Sequence, residues 1–566
     1  MSPRRRTAAW VAVYALLGLV ALVPASLDPV GTKVGAFAIS DSLDTVYRLW
    51  AEGNAVVETE DGRPWNPLVG APAGVPVAPV HHPVWWLARA ATALGGAVFG
   101  YNAAVFSSFV LAGLFAHLLV RRLGGGEPAA LFAGVAFAWS PFHVLQAGDH
   151  IHLAQTWVVP LYFLALGVDR ERRSLASAAA VCAAFALSIW IHPYYGAFLG
   201  IATPWLLAYA FLRDPDARAE RAWLRPLGLL VALVVIAALG STTLQIADAG
   251  GERSALVERP LEHLEMLAVR WYEWLLPPFY SLLFGEPVRG FLATRTHGSS
   301  AAEMTVFLGF VPLVLAVIGV ARSRGGDVRE RMLVDWLLLA GLLGVLLSTR
   351  PVMELAGASL TMPSGWLYEL LPMLRAISRW AVLPILAVSC LGGLGVASLS
   401  RGWAPRKAWA LSLACVGLVM LEFLPSHAGL ALDTRRVPKV YDAVRVLPDD
   451  AVVLELPVTA LNDFIPFFWQ MHHQRCLFNV PGEGHPHSDE VLAFMESDLA
   501  GVVARGQRLG IDHVVIHSAR ALPLGHSFPP VVGPEVIVPP GLPHATLLPI
   551  PPPPGGWPAG RCRLPR

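Results

Sequence analysis

The chain carries its reactive side chains in a few short polar stretches set between long apolar runs. The first is Ala38-Ile39-Ser40-Asp41-Ser42-Leu43-Asp44-Thr45-Val46-Tyr47-Arg48. On a helix, the i,i+3 spacing of Asp41 and Asp44 places both carboxylates on one face, with Arg48 one turn beyond Asp44. A carboxylate held among aromatics at a membrane surface is a candidate general base. The same spacing also fits a helix cap at Asp41 and an ordinary ion pair between Asp44 and Arg48. His81-His82-Pro83 closes this polar segment. Gly148-Asp149-His150-Ile151-His152 forms a turn between two apolar runs, and Ile191-His192-Pro193-Tyr194-Tyr195-Gly196 forms another. Polar groups at membrane depth are costly unless they face a cavity or a partner. Together these could line one pocket; singly, each also suits an interfacial histidine or tyrosine.

Leu371-Pro372-Met373-Leu374-Arg375-Ala376-Ile377-Ser378-Arg379-Trp380 adds two arginines at i,i+4. On a helix, Arg375 and Arg379 would present one cationic face, suited to a phosphate or to snorkelling at the interface. No helical His-x-x-x-His and no Cys/His ligand pattern occurs, so a structural zinc site is not expected. A divalent cation, Mg²⁺ or Mn²⁺, held loosely by Asp41 or Asp149 is compatible with these donors but not specified by them. There is no phosphate-binding Gly-x-x-x-x-Gly-Lys loop and no Gly-x-Ser-x-Gly elbow. No apolar run carries a charge relay at its middle; Gln245 and Asp248 sit near the end of one.

The elements that must position these groups are membrane helices. Of 566 residues, 55% are hydrophobic and 15% charged, and mean hydropathy is +0.53. So few charges cannot clothe a soluble protein of this length, which points to a polytopic membrane protein. A formal net charge of +1 excludes general attraction to nucleic acid. Eleven spans are expected, at roughly 8–25, 101–120, 128–145, 151–168, 174–191, 194–212, 225–246, 303–321, 332–349, 379–400 and 407–425. The stretch 84–100 holds Arg89 and reads as an interfacial helix, with a true span as the alternative. Arginine-rich short loops, such as Arg121-Arg122, Arg170 to Arg173 and Arg322 to Arg331, then alternate with loops at 146–150 and 192–193 that have none. That pattern places the N-terminus in the cytoplasm. Arg4 to Arg6, an apolar run and Pro24-Ala25-Ser26 also resemble a secretory signal; an uncleaved first helix is preferred, and cleavage would leave the orientation unchanged.

The long segments 26–100, 247–302, 350–378 and the tail from about 426 all fall outside, so the active surface is expected there. Residues 1–428 form the expected membrane domain and 429–566 a small extracytoplasmic α/β domain. In the tail, Ala451 to Pro457 and Ile511 to His517 read as strands, and Glu490 to Ala504 as an amphipathic helix. Phe467 to His473 is ambiguous, and from Pro529 onward the chain is expected to be extended or disordered. Five cysteines exclude a disulfide scaffold. Cys182, Cys390 and Cys415 lie in apolar runs, while Cys476 and Cys562 could form one bridge. Only three of the 42 basic side chains are lysine, a composition that fits a GC-rich bacterial genome. The expected location is the bacterial inner (cytoplasmic) membrane.

An acidic motif in the first outside segment, eleven or so spans and a soluble outside tail resemble the GT-C superfamily of membrane glycosyltransferases. Closer still is the resemblance to bacterial YfhO-like membrane proteins. It rests on Asp41-Ser42-Leu43-Asp44, Gly148-Asp149-His150-Ile151-His152-Leu153, His192-Pro193-Tyr194-Tyr195-Gly196, Pro372 to Arg379 and Val453-Leu454-Glu455-Leu456-Pro457. The GT-C acids commonly stand one residue apart and here stand three apart, which leaves open which aspartate is the base. The resemblance implies an all-α membrane domain and an inverting transfer of a sugar from a polyprenyl-phosphate donor to a glycan, lipid or protein acceptor, among membrane lipids and without nucleic acid. It implies Asp41 as base with Asp44 second, and Arg375 and Arg379 at the lipid phosphate. Arg48, His81, His82, Asp149, His150, His192 and Tyr195 would contact substrate. A transporter or flippase of a lipid-linked glycan, and a scaffold for envelope assembly, are the alternatives.

Overall fold

The structure is a computed structural model of the chain. It describes all residues except 1, 36–40, 78–79, 81, 214–223, 248–260, 296, 298–300, 324–327, 356, 372–373, 427–430, 457–463, 481–486, 496, 518–544, 558–561 and 563–566. The protein is mostly helical. Each apolar run marked above is helical over most of its length, from Pro3–Ala21 to Pro405–Phe423. Among the described residues, four helices are long and apolar enough to cross a bilayer: Pro83–Arg122, Pro193–Arg213, Arg331–Ser348 and Ile377–Leu399. A bent pair, Glu127–Ala138 and Pro141–Asp149, makes a fifth if it is one span.

Local chemistry explains the breaks. Pro141 cannot donate to the preceding turn, so the chain bends by 44° there, and Ser140 Oγ donates back to the Phe137 carbonyl at 2.9 Å. The expected interfacial helix at 84–100 and the span at 101–120 are one element, Pro83–Arg122. Its interruption is at Gly96, whose φ of 84° takes it out of the helix, and not near residue 100.

Contacts divide the chain into two compact units. The first comprises Met1–Val23, Val105–Ala147 and His152–Ser426. It is a helical bundle. Its tightest contact joins Phe310–Ser323 to Val382–Leu399, where a Cβ on Gly319 would lie 2.2 Å from the Leu391 carbonyl and one on Gly395 2.0 Å from that of Leu315. In lipid, helices gain little from hydrophobic burial, and small residues let backbones approach for dispersion contact.

The second unit comprises Pro24–Ala104, Gly148–Ile151 and His427–Arg566. The tail therefore shares its unit with the first outside segment. Its main sheet has the strand order Ala545–Pro549, His513–His517, Val452–Leu456, Cys476–Leu477. The last three run parallel and the first is antiparallel. Within the Pro-rich end, Ala545–Pro549 is an extended strand paired along the sheet edge, where a proline's missing N–H is tolerated. The stretch Phe467 to His473 is helical, within Ile465–His473. The expected helix from Glu490 to Ala504 is two helices, Ser488–Met495 and Leu499–Leu509. Asp498 starts the second by accepting from the Gly501 N–H at 2.8 Å. A short antiparallel pair, Thr32–Val34 with Ala431–Asp433, joins the two ends of the unit.

Cys476 and Cys562 form a disulfide across 86 residues, and Cys182, Cys390 and Cys415 are free thiols. In denaturant without reductant, a maleimide should therefore add three labels per chain, and after reduction five. Five labels before reduction would show that the bridge does not form in the mature protein.

Candidate active site

Within the second unit, the helix Asp41–Asn54 carries Asp41 and Asp44 in its first turn. Asp44 is tied to Arg48, Oδ2 to Nε at 2.7 Å. This is the i,i+4 pair that the spacing allowed, but it is not a surface pair on the acid's side, since the Asp44 side chain is only 17% exposed. Burial pushes the Asp44 carboxyl above its usual range, with Arg48 opposing the shift. Asp41 has a different setting. Its side chain is 54% exposed, and Oδ2 lies 3.0 Å from His150 Nε2. The other ring nitrogen, Nδ1, is 3.4 Å from Asp149 Oδ2. His150 thus stands between two carboxylates.

A backbone contact brings these groups together. Gly35 has φ +81°, and a Cβ there would fall 2.2 Å from the Gly148 carbonyl oxygen. The strand Thr32–Val34 therefore lies against the C-terminal end of the helix Pro141–Asp149 and not against the turn expected at Gly148-Asp149-His150. Asn102 fixes that strand: Oδ1 accepts from the Val34 N–H at 3.0 Å, and Nδ2 donates to the Pro29 and Thr32 carbonyls at 2.9 and 2.7 Å. Lys33 is fully buried. Its Nζ donates to the Val34 and Gly35 carbonyls at 2.6 and 2.9 Å and lies 4.9 Å from the centre of the Tyr101 ring. Burial pushes the Lys33 amine down to about 7, while the charge of Asp149 pulls it up. Tyr101 in turn hydrogen-bonds Ser42, beside Asp41.

The far side of the Asp41–Asn54 helix is anchored. Tyr47 donates to Gln470 Oε1 at 2.6 Å and accepts from Asn66 Nδ2 at 2.8 Å. Glu52 accepts from the Trp85 indole at 2.9 Å and pairs with Arg89 at 2.8 Å, so Arg89 is spent on this helix. His82 Nδ1 accepts from the Val84 N–H at 3.2 Å, which makes it a cap for the helix starting at Pro83. His81 lies outside the described residues.

The remaining candidates lie in the first unit. His192 is buried, stacks on His152 with ring centroids 4.8 Å apart, and accepts from the Tyr194 N–H at 3.1 Å. Tyr195 is fully buried with its hydroxyl on the Leu153 carbonyl, so it holds this turn rather than lining a pocket. Arg375 and Arg379 do not form the expected single helical face. The backbone at Ala376 is non-helical, and a 3₁₀ helix begins only at Ile377. Arg379 pairs with buried Glu303, Nε to Oε1 at 2.8 Å and Nη2 to Oε1 at 2.7 Å, and its guanidinium lies over the Tyr194 ring at 5.0 Å. Ser378 donates to the other Glu303 oxygen. Arg379 is therefore neutralised by its own carboxylate, while Arg375 is half-buried. Among the described residues, no cluster of three or more His, Cys, Asp or Glu side chains is arranged to hold a metal ion.

Sequence reasoning missed Lys33 and Glu303. Lys33 had a signal, because it is one of three lysines in an arginine-dominated chain and sits in an apolar setting. Glu303 had none, since its partners lie 75 and 76 residues away.

Residues 86–422 match the family described as "Domain of unknown function (DUF6311)". The match covers more than half of the chain, and the chain belongs to that family. No curated protein matches its sequence significantly. In fold, the chain is similar to arabinofuranosyltransferase AftD from Mycobacteria. A cryo-EM structure of an AftD mutant gives a TM-score of 0.51 at 17% identity, over 91% of this chain and 36% of that one. Another AftD structure gives 0.49 at 16% identity, over 91% of this chain and 35% of that one. The apo oligosaccharyltransferase of Archaeoglobus fulgidus gives 0.47 at 12% identity, over 90% and 69%. The chain spans about a third of AftD's length. At this identity the likeness to AftD is one of fold.

Two outcomes test this geometry. Gly35→Ala should destabilise the protein by about 1–3 kcal/mol or more, from the left-handed backbone and the contact with Gly148; an unchanged melting midpoint would contradict it. Unfolded, the Lys33 amine titrates near 10.5. Between pH 7 and 10.5 the unfolded chain therefore binds a proton that the folded chain does not, and this group's contribution to stability rises with pH across that window. Lys33→Met should remove a rise of at most about 1.4 kcal/mol per pH unit. Parallel pH profiles of the melting midpoint in the two proteins would argue against the shift.

Proposed function

We propose that the protein is a membrane glycosyltransferase that takes a sugar from a polyprenyl-phosphate donor at the extracytoplasmic face, with Asp41 as general base. The observation that carries this reading is the setting of Asp41: an accessible carboxylate at the first turn of a helix, 3.0 Å from His150 Nε2. Asp44 lacks that access, being held by Arg48. In the step we infer, an Asp41 oxygen accepts the proton of an acceptor hydroxyl. The acceptor oxygen attacks the anomeric carbon, the bond from that carbon to the phosphate oxygen breaks with its electron pair, and the lipid phosphate leaves. Attack opposite the leaving group inverts the configuration. His150, whose other ring nitrogen lies 3.4 Å from Asp149 Oδ2, orients the Asp41 carboxylate. No step is assigned to a metal ion.

The GT-C-like fold supports glycosyl transfer as the reaction class. Two features support the side of the membrane. The arginine-rich short loops fit a cytoplasmic N-terminus and, with eleven crossings, an external tail. A disulfide in the tail's unit suits an oxidising compartment.

The test is turnover of a radiolabelled polyprenyl-phosphate sugar by the reconstituted protein. Asp41→Asn keeps the shape of the side chain and loses its basicity. Turnover should fall by about 10²–10⁴-fold with donor binding retained. Full turnover in Asp41→Asn would remove the base, and donor translocation without transfer in the native protein would favour a flippase.

A further inference from the structure

A buried histidine in the first unit has no part in the proposed chemistry. His117 stands where the helices Pro3–Ala21, Pro83–Arg122 and Glu127–Ala138 meet, and its side chain is only 1% exposed. Nε2 lies 3.0 Å from Glu127 Oε2, and Nδ1 lies 3.2 Å from the Tyr14 hydroxyl. A carboxylate only accepts, which assigns the proton of the neutral ring to Nε2. The Nδ1 lone pair then takes the Tyr14 O–H. Both ring nitrogens are satisfied in this state. Tyr14 is held in place. A Cβ on Gly134 would lie 2.0 Å from its hydroxyl oxygen and one on Gly113 2.4 Å from its ring, so the side chain fills a slot between two glycines. Trp10, one turn earlier, covers the imidazole with ring centroids 4.3 Å apart and stacks on Trp409.

Two guanidiniums already share the Glu127 carboxylate. Arg121 Nε and Arg6 Nη1 lie 3.3 and 3.6 Å from Oε1. Arg121 also donates to the Gly125 carbonyl at 2.6 Å, and Arg122 is paired with Glu171 instead. The helix Pro405–Phe423 meets this group through the uncharged Trp409. Among the described residues, the titratable and charged groups around His117 are thus Tyr14 and Arg6 from the first helix, Arg121 from its own, and Glu127. A second proton on the ring is poorly accommodated. It would set an N–H on Nδ1 against the Tyr14 oxygen and take away the acceptor of the Tyr14 O–H. It would also bring three positive charges around one carboxylate.

We propose that Tyr14, His117 and Glu127 form a proton-sensitive clasp, which ties the first helix to Pro83–Arg122 and Glu127–Ala138 and loosens when His117 takes up a proton. Glu127 is 25% exposed, which gives the proton a way in. On the expected topology this end of the helices faces the cytoplasm, so the acidity sensed is the cytoplasm's.

The experiment compares the full chain in detergent with His117→Gln. A glutamine amide donates to Glu127 and accepts from Tyr14 without titrating. The unfolded chain binds a proton at His117 below about pH 6.5, and the closed clasp does not, so the clasp's stabilisation is present above that pH and lost as pH falls. The melting midpoint of the native chain, relative to that of His117→Gln, should therefore fall by about 1 °C or more per pH unit below about pH 6.5. Hydrogen exchange reads the clasp locally. Corrected for the intrinsic effect of pH, the amides from Arg6 to Tyr14 should exchange about tenfold faster at about pH 5 than at about pH 7 in the native chain, and equally in His117→Gln. Should that variant fail to fold, Glu127→Gln removes the charge that offsets the proton, and the same amides should show a steeper pH dependence than in the native chain. Parallel midpoint profiles in the native chain and His117→Gln, exchange in the first helix that does not respond to pH, or a flatter response in Glu127→Gln would overturn the proposal.

Discussion

The acidic group in the second unit depends on one backbone contact, that of Gly35 with Gly148. The segments could not come so close with a side chain at Gly35, whose φ is left-handed, and Lys33 two residues earlier is buried. From this contact the rest follows by short steps. Asp149 and His150 come next in the chain after Gly148, and His150 reaches Asp41. The charge of Asp149 acts on Lys33, whose amine donates to two carbonyls. A buried lysine without such acceptors would be far more costly. Asn102 then holds the strand that carries it. The result is a carboxylate whose position is set from behind while its front remains accessible.

The distribution of partners explains which charges are available for chemistry. In a bilayer or a protein interior, an ion is tolerated when it is paired and hydrogen-bonded. Arg48 is held by Asp44, Arg89 by Glu52 and Arg379 by Glu303. These pairs look alike in sequence to functional arginines, because each is a lone cation near an apolar run. The structure separates them by their acids. Asp41 differs from Asp44, Glu52 and Glu303 in facing a histidine rather than a guanidinium.

Much of the fold was legible because hydropathy reports burial directly. Apolar runs became helices, and the β-branched runs around Val453 and Val515 became strands. Breaks were less legible. Gly96 and Asp498 interrupt helices through a φ value and a cap, and neither alters the hydropathy pattern. At the candidate site, the spacing of Asp44 and Arg48 announced their pair, because i,i+4 contacts are local. The contact of Asp41 with His150 joins residues more than 100 apart, and the motifs named both residues without saying that they meet. Arg375 and Arg379 show the opposite failure. Their spacing assumed a helix, and Ala376 does not adopt one.

The tail acquires a mechanical meaning from the same unit. The helix that carries Asp41 is braced through Tyr47 on Gln470, and Gln470 Nε2 donates to the Leu68 carbonyl at 2.6 Å. Leu68 in turn accepts from the Leu477 N–H at 2.7 Å, next to the disulfide at Cys476. A chain of polar contacts thus runs from the helix that carries Asp41 to the edge of the four-stranded sheet. A tail that served only to recruit partners would have no need of buried bonds to residues 47 and 68. Fixing the orientation of a base is worth a folded domain, because a catalytic carboxylate displaced by about 1 Å loses much of its advantage. The tail therefore reads as a support for the helix that carries Asp41.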